Sequence, residues 1–318
     1  MKNKMISAPS KGFLPVLALL LLILVVPAFT QEKGRKDPNN VSILVTAAPT
    51  SDRSRAIIDN LQPTDFAVLE NKKDQTIVDV RKVSATPINI AVVIQDDLVM
   101  HVNNEIPEIR EFIKSLPAGS KIMTAHISGG NMQVRQQFTT DMEMAAASFR
   151  ILASSISVAG STPYYGLNEV LKQFGSLKEG PNVVLFISDG LDASGGIRFG
   201  SPYSSLSLDR AIATAQREKV AVFTFYAPSV AYTSFSRLAV NYGQGSLLRL
   251  ADETGGAAFF SGMDFVTFSP YFRELNDLLR HQWLITYRSS SSGKGFRNIE
   301  VTTDFDVNLL HPKGYTVK

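Results

Sequence analysis

The sequence has 318 residues, of which 44% are hydrophobic and 19% charged, and it contains no cysteine. This composition excludes a disordered chain and a collagen-like repeat, and it suits one large domain with an accessory unit. Because there is no cysteine, the fold has no disulfides and depends on its hydrophobic core.

The first thirty residues differ from the rest of the chain. Three lysines precede an apolar run at 16–26, and the small residues Ala28 and Thr30 follow it. This order is typical of a secretory signal peptide, so residues 1–30 are predicted to be removed near Thr30 in a secreted or periplasmic protein. An uncleaved N-terminal anchor is the alternative, although the apolar run is short for a membrane-spanning helix.

The formal charge of +3 comes from 32 basic and 29 acidic residues, and the three lysines of the signal region account for the excess. The mature chain is therefore close to neutral. A nucleic-acid-binding domain usually carries a basic surface, so no nucleic-acid partner is expected. Residues 31–40 are polar and are predicted to form a linker.

An N-terminal β segment is predicted at 41–84. Its strand candidates are 41–46, 66–70 and 77–83, and Val78 and Val80 alternate with Asp79 and Arg81 as in a half-buried strand.

A central domain is predicted at 85–282, where buried strands alternate with helical patterns. The predicted strands are 88–94, 121–127, 132–138, 182–188, 220–226 and 257–260, and the predicted helices are 106–116, 140–152, 163–174, 208–218 and 267–280. Thr140 and Glu143 match a capping box at the start of the second helix. The alternation indicates a mostly parallel, six-stranded sheet with helices on both faces and 132–138 as an antiparallel edge. Sites in such sheets lie at the carboxyl ends of the strands, so the loops after Ile94, before Pro163 and after Ser188 should converge.

The tail, 283–318, is again β-like. Its strand candidates are 283–287, 298–303 and 315–317, with 289–295 as a flexible hairpin tip. Because neither terminal piece makes a stable sheet alone, the tail is predicted to pack with the N-terminal β segment.

Several motifs together resemble one family. The stretch LFISDGLD at 185–192 resembles the strand-to-loop signature of von Willebrand factor A (VWA) domains, and GSTPY at 160–164 resembles their threonine loop. Segments at 61–77, at 283–287 and at Gly314-Tyr315 resemble the flanks of this domain in VWFA-related proteins known from Acidobacteria. The resemblance spans about 41–318. It implies a VWA-like, Rossmann-like α/β domain that binds a protein partner in the envelope or the extracellular space.

The resemblance also implies a metal-ion-dependent adhesion site, where Mg²⁺ is held by an Asp-x-Ser-x-Ser loop, a threonine and a later aspartate. Hard oxygen ligands suit Mg²⁺, and an open position accepts a carboxylate of the partner. Here Thr162 and Asp189 match the pattern and Asp97 falls on the first serine, so these three are the tentative metal ligands. Gln95 replaces the first aspartate and Val99 the second serine. The site is therefore degenerate, and absence of Mg²⁺ is favoured over its presence.

Other interpretations of these residues stay open. Asp189 suits a turn cap, and Thr162 suits the N-cap of the following helix. Asp96 and Asp97 suit a solvated turn, and Asp192 is predicted to be solvated rather than a ligand. Shifting the register of the first loop by one residue gives no better set of ligands.

No catalytic residue is assigned. The sequence lacks a G-x-S-x-G elbow, an H-E-x-x-H helix and a phosphate-binding glycine loop. Its four histidines, His101, His126, His281 and His311, lack metal-ligand spacing.

The favoured function is a non-enzymatic, exported binding or adhesion module with no membrane span once the signal is removed. The alternatives are a metal-free scaffold or assembly subunit of the envelope and, less favoured, an unrecognised hydrolase with acids converging in a deep pocket. The loop predicted at 227–245, with Tyr232, Phe235 and Tyr242, is either a partner-facing surface or a packed loop.

Overall fold

The computed structural model describes residues 39–317 except 84–85, 156–160, 178–179, 197, 261, 263–264 and 266. The predicted signal peptide, the linker up to residue 38, the 84/85 domain boundary and Gly160 lie outside the described residues. Within the described part, no helix has both the length and the apolar character needed to cross a membrane.

The described residues form fourteen strands and seven α-helices. The strands are β1 (Asn40–Ala48), β2 (Ala67–Glu70), β3 (Lys73–Asp74), β4 (Thr76–Lys82), β5 (Asn89–Gln95), β6 (Lys121–Ser128), β7 (Asn131–Thr139), β8 (Asn182–Ser188), β9 (Val220–Tyr226), β10 (Ala258–Phe259), β11 (Gln282–Arg288), β12 (Gly295–Thr302), β13 (Asn308–Leu310) and β14 (Gly314–Val317). The helices are α1 (Asp52–Asn60), α2 (Ile106–Lys114), α3 (Met142–Ala147), α4 (Pro163–Gln173), α5 (Leu206–Glu218), α6 (Arg237–Thr254) and α7 (Ser269–Arg280).

The central sheet has six strands in the order β10-β9-β8-β5-β6-β7. All neighbouring pairs are parallel except β6–β7, so the predicted sheet and its antiparallel edge are confirmed. The registers pair Gln95 of β5 with Ile127 of β6, Ile94 with Ile187 of β8, and Ser188 of β8 with Tyr226 of β9, so the carboxyl ends of these four strands lie in one row. This row and the loops that leave it are named the strand-end rim.

Helices cover both faces of this sheet because successive strand residues point to opposite sides. On β5, Ile90, Val92 and Ile94 face one core with α2, α3 and α7, whereas Ala91 and Val93 face a second core with α4, α5 and α6. All five side chains are fully buried, and burial of a Val or Ile side chain stabilises the fold by about 1.5–3 kcal/mol. The sheet is therefore a rigid support for the loops of the strand-end rim.

Strands from residues 40–82 and 282–317 form a β-sandwich. Its sheets have the orders β13-β1-β11-β4 and β14-β12-β2-β3, so each combines strands from both ends of the described chain. The sandwich core contains Trp283, whose ring centroid lies 5.1 Å from that of Phe66. Leu44 and Leu284, on the other face of the first sheet, pack against the core of the α/β domain.

The predicted hairpin tip at 289–295 is wrong, because β11 and β12 belong to different sheets. Ser289 is buried, and its hydroxyl donates to the buried carboxylate of Glu70 at 2.7 Å. Tyr287 and Tyr315 also donate to Glu70, at 2.8 and 2.9 Å. The segment after β11 thus crosses between the two sheets and is held by a buried acid.

Three helix predictions need correction. The helix predicted at 140–152 is limited to α3, and its cap is Asp141, which accepts from Met144 N at 2.9 Å, instead of a Thr140–Glu143 box. The region predicted as a loop at 227–245 contains the start of the 18-residue helix α6. Helix α1, between β1 and β2, was not predicted.

Candidate functional site

The side chain of Gln95 joins the loops after β5 and β8. Its Nε2 donates to Asp97 Oδ1 at 2.7 Å, and its Oε1 accepts from Ser188 Oγ at 2.5 Å and from Asp189 N at 3.2 Å. All four residues are buried. One neutral amide thus satisfies donors and acceptors on both loops. The Gln95 network is defined as Gln95, Asp97, Ser188, Asp189 and Thr233.

Asp189 is a buried acid within this network. Its Oδ1 accepts from Leu191 N at 3.1 Å, and its Oδ2 accepts from Thr233 Oγ1 at 3.3 Å. Burial, and then the negative charge of Asp97, raise the pKa of Asp189 to about 6. Because a charged carboxylate is costly to bury, Asp189 destabilises the folded state when it is ionised.

Two glycines bring the backbone of Asp189 against α6. Gly190 has φ +67°, and a Cβ there would lie 2.4 Å from Gly243 O. A Cβ on Gly243 would lie 2.1 Å from Asp189 O. The loop after β8 therefore rests directly on the helix backbone, which fixes the position of Asp189.

Thr162 caps helix α4, as the helix-cap interpretation predicts. Its Oγ1 accepts from Tyr164 N at 3.4 Å and lies 3.2 Å from Ser207 Oγ.

We expect Thr162→Val to lower the free energy of unfolding by about 1 kcal/mol. Valine keeps the buried volume but lacks the hydroxyl that accepts from the Tyr164 N–H. Urea unfolding monitored by circular dichroism measures the change. Thr162→Ser is the matched control, since it keeps the acceptor and should retain most of the stability. Equal losses in the two variants would contradict the capping role.

Asp192 is buried, so its predicted solvation is wrong. Its carboxylate accepts from Ser194 Oγ at 2.7 Å, from Ser207 Oγ at 2.8 Å and from Ser205 Oγ. Burial opposes ionisation, but hydrogen bonds from the three serines outweigh it and hold the pKa of Asp192 below its usual value. Since Ser207 also contacts Thr162, this second group, named the Asp192 network, joins the threonine loop to the loop after β8.

Asp96 and Asp97 are buried too, which excludes the solvated turn. Asp96 Oδ2 lies 2.8 Å from Arg150 NH2, and its Oδ1 accepts from Ala153 N at 3.2 Å. His126 Nδ1 lies 3.5 Å from the same Oδ1. Burial, and then the positive charge of Arg150, lower the pKa of His126 to about 4. Asp96 therefore anchors the segment after α3 to the rim.

These residues do not fit an octahedral Mg²⁺ site. The Nε2 of Gln95 donates to Asp97, so the carboxylate that a cation would need already accepts a hydrogen bond. The side chain of Val99 has no oxygen that could bind Mg²⁺. The hydroxyl of Thr162 is engaged by Tyr164 N and Ser207. In the part of the chain that the structure describes, no group of three or more His, Cys, Asp or Glu residues could hold a metal ion. The structure brings Asp97 and Asp189 into one network and places Thr162 in the adjacent one.

Three large apolar side chains are exposed on segments that leave the strand-end rim. Met100, Ile151 and Phe235 are 71%, 72% and 75% exposed, and each follows a segment bonded to the rim. Below Phe235, the ring of Tyr232 packs at 4.8 Å from that of Phe199, which joins two rim loops. Phe235 belongs to the loop that was predicted to be either partner-facing or packed, whereas Met100 and Ile151 were missed. Met100 follows the strand predicted at 88–94, and Ile151 falls inside the helix predicted at 140–152, so neither stood out as an exposed residue.

Comparisons with known proteins give weak likenesses. No protein-family model and no curated protein matches the chain. An aerotolerance-related membrane protein from Bacteroides fragilis is 12% identical, with 60% of this chain and 98% of that chain covered and a TM-score of 0.43. A von Willebrand factor type A structure from Catenulispora acidiphila is 10% identical, with 87% and 72% covered and a TM-score of 0.42. The PilB minor pilin from Streptococcus sanguinis is 14% identical, with 61% of each chain covered and a TM-score of 0.43. Likenesses at this level do not establish a family.

Proposed function

We propose that this chain is an exported, non-enzymatic binding module of VWA-like architecture. It recognises a protein partner in the envelope or extracellular space. The strand-end rim makes the contact, and no metal ion takes part. The motifs at 160–164 and 185–192 and the six-stranded sheet support the VWA-like assignment. Export rests on the signal-like pattern of the first thirty residues.

The observation that carries the proposal is the pairing of a rigid base with an exposed apolar surface. The Gln95 and Asp192 networks fix the rim loops, and Met100, Ile151 and Phe235 are exposed on segments that leave these loops. Large apolar side chains that are exposed on a protein surface are the usual anchors of protein–protein interfaces. Fixed loops also reduce the entropy lost when a partner binds.

The metal-free part of the proposal rests on the Gln95 amide. In a metal-dependent adhesion site, a cation offsets the charge of the converging acids. Here hydrogen bonds from Gln95, Leu191 and Thr233 engage Asp97 and Asp189 instead. The rim therefore keeps its shape without a cation, and apolar contact replaces metal–carboxylate recognition.

Binding is favoured over hydrolysis by the cavity at the rim. This cavity of about 490 Å³ is open to solvent, and Glu105 is the acidic residue among the described residues that line it. Glu105 accepts from Phe268 N at 2.8 Å and from Thr267 Oγ1 at 3.0 Å, so it serves the start of α7. A hydrolase with paired acids would need a second carboxylate facing the same space.

The test is capture of partners from envelope extracts by the mature protein, with quantitative mass spectrometry. Phe235→Asp and Met100→Asp should each reduce the captured partner at least about tenfold, because buried apolar anchors dominate such interfaces. Phe305→Asp is the matched control, since Phe305 is 45% exposed and lies between β12 and β13 of the β-sandwich. Equal loss in all three variants, or no loss in the rim variants, would refute recognition at the rim. Addition of a chelator should leave capture unchanged.

A further inference from the structure

A cavity of about 250 Å³ lies between the β-sandwich and the end of α5, away from the strand-end rim. Its walls include residues 40–44 of β1 and 314–316 of β14. Helix α5 closes one side with Ala215, and the start of β9 contributes Val220 and Ala221. The cavity is thus bounded by two strands from two different sheets.

Over residues 40–44, the side of β1 that faces away from β11 has no paired strand among the described residues. In its ladder with β11, Ala47 N bonds to His281 O and Ser289 N bonds to Asn39 O, so the odd-numbered residues bond to β11. Antiparallel ladders alternate, so the N–H and C=O groups of even-numbered residues point the other way. Strand β13 pairs with β1 only from Thr46 onward. The backbone groups of Ser42 and Leu44 therefore point into the cavity.

The β14 wall has the same property. The N–H of Ile299 donates to Lys313 O. Given the register of the two strands, the odd-numbered residues of β14 therefore make the hydrogen bonds to β12. The backbone groups of Gly314 and Thr316 therefore point away from β12. Strand β14 is an edge of its sheet, and both residues line the cavity.

A buried polar atom lies at the same place. Asn40 lines the cavity, and its Oδ1 is buried without a hydrogen-bond partner among the described residues. A buried acceptor of this kind costs about 1–3 kcal/mol when it is unsatisfied. Among the described residues, the cavity thus presents backbone groups that point away from their own ladders at two strand edges, and one side-chain acceptor without a partner.

We propose that this cavity binds an extended segment of another protein, which adds as a strand to the open edge of β1 and carries an acidic group. A peptide backbone is the chemistry that matches alternating N–H and C=O groups on a strand edge. Among the described residues that line the cavity, the charged ones are Arg217 and Lys219, and none is Asp or Glu. Arg217 is paired with the neighbouring Glu218 at 2.8 Å. The three side chains together keep a net positive charge, which favours an acidic occupant. The chain's own segment 31–38 is a poor match, because it is net basic and contains Gly34 and Pro38.

The test uses fluorescent peptides with alternating valine and threonine and one central glutamate, measured by fluorescence anisotropy on the full mature chain. We expect binding by this peptide and none by a copy whose backbone nitrogens are all methylated, since methylation removes every N–H donor. Replacing the glutamate by lysine should weaken binding about fivefold, as should Arg217→Glu with the original peptide. Amide exchange should show slower exchange at Ser42 and Leu44 on binding, with Ile43 unchanged.

Ser42→Pro supplies the matched variant. The N–H of Ser42 makes no hydrogen bond to β11, so a proline at this position should still allow β1 to form. The peptide should no longer bind, because the N–H that it would pair with is gone. Leu248→Asp, at the α6 surface, should bind the peptide like the wild type. The proposal would be overturned if the methylated and unmethylated peptides bound equally, if neither bound, or if the Ser42 and Leu44 amides of the free protein exchanged as slowly as that of Ile43.

Discussion

Asp189→Asn is expected to raise the free energy of unfolding by up to about 3 kcal/mol at pH 8 and to change it little at pH 4. The pKa of Asp189 is raised from 3.8 to about 6 in the folded protein. Between these values the folded state binds more protons than the unfolded state. The contribution of Asp189 to stability therefore falls as the pH rises from about 4 to about 6, and it stays unfavourable above that range.

Asparagine removes the charge but keeps the shape and an acceptor for the Leu191 N–H. Its amide group can also donate to Thr233 Oγ1, which lies 3.3 Å from the present carboxylate. Urea unfolding of both proteins from pH 4 to pH 8 measures the difference. Asp304→Asn, at an exposed position, is the control. The difference in its free energy of unfolding from the wild type should not change between pH 4 and pH 8. A destabilised Asp189→Asn at pH 8 would show that the ionised carboxylate is needed.

Gln95→Glu is expected to destabilise the protein by about 3 kcal/mol or more at pH 8, because it places a third acid beside Asp97 and Asp189. The new oxygen would replace the Nε2 that now lies 2.7 Å from Asp97 Oδ1. Protonation relieves the repulsion, so the loss should shrink towards pH 5.

Chemical unfolding at pH 8 and pH 5 measures this effect. Gln137→Glu introduces the same charge at an exposed position of β7 and should change stability by less than about 0.5 kcal/mol. If Gln95→Glu were as stable as the wild type at pH 8, the Gln95 amide would not be directed at the acids.

The central sheet was predictable because its strands are buried on both faces. All seven residues of β8 and all seven of β9 are buried, and both strands occupy their predicted bounds. Continuous apolar runs between polar loops carry this information directly. The tail was predicted to pack with the N-terminal β segment for a different reason, since short strands need partners.

Helix α6 was not predictable from local preference. Gly243 and Gly245 lower the helical propensity of its first half, yet Gly243 is required because the Asp189 backbone lies against it. Tertiary packing thus overrides the local signal. The glycines of the loop after β8 and of the helix form one contact that only the fold brings together.

The candidate site was predictable in its location but not in its bonding. Gln95 was recognised as a departure from the metal-site pattern, but the sequence did not show that its amide would join two loops. Asp192 was predicted to be solvated, but it is buried and accepts hydrogen bonds from Ser205 and Ser207, which lie 13 and 15 residues further along the chain. Hydrogen bonds between loops depend on distances that sequence spacing does not encode.

The central claim is that a neutral amide holds the strand-end rim together without a cation. Melting temperature in Mg²⁺ or Mn²⁺, against a chelator at matched ionic strength, tests it most directly, because an ion that binds the folded state must stabilise it. We predict no change for the wild type. A rise of several degrees that Asp189→Ala abolishes would contradict the claim and restore the metal-dependent site.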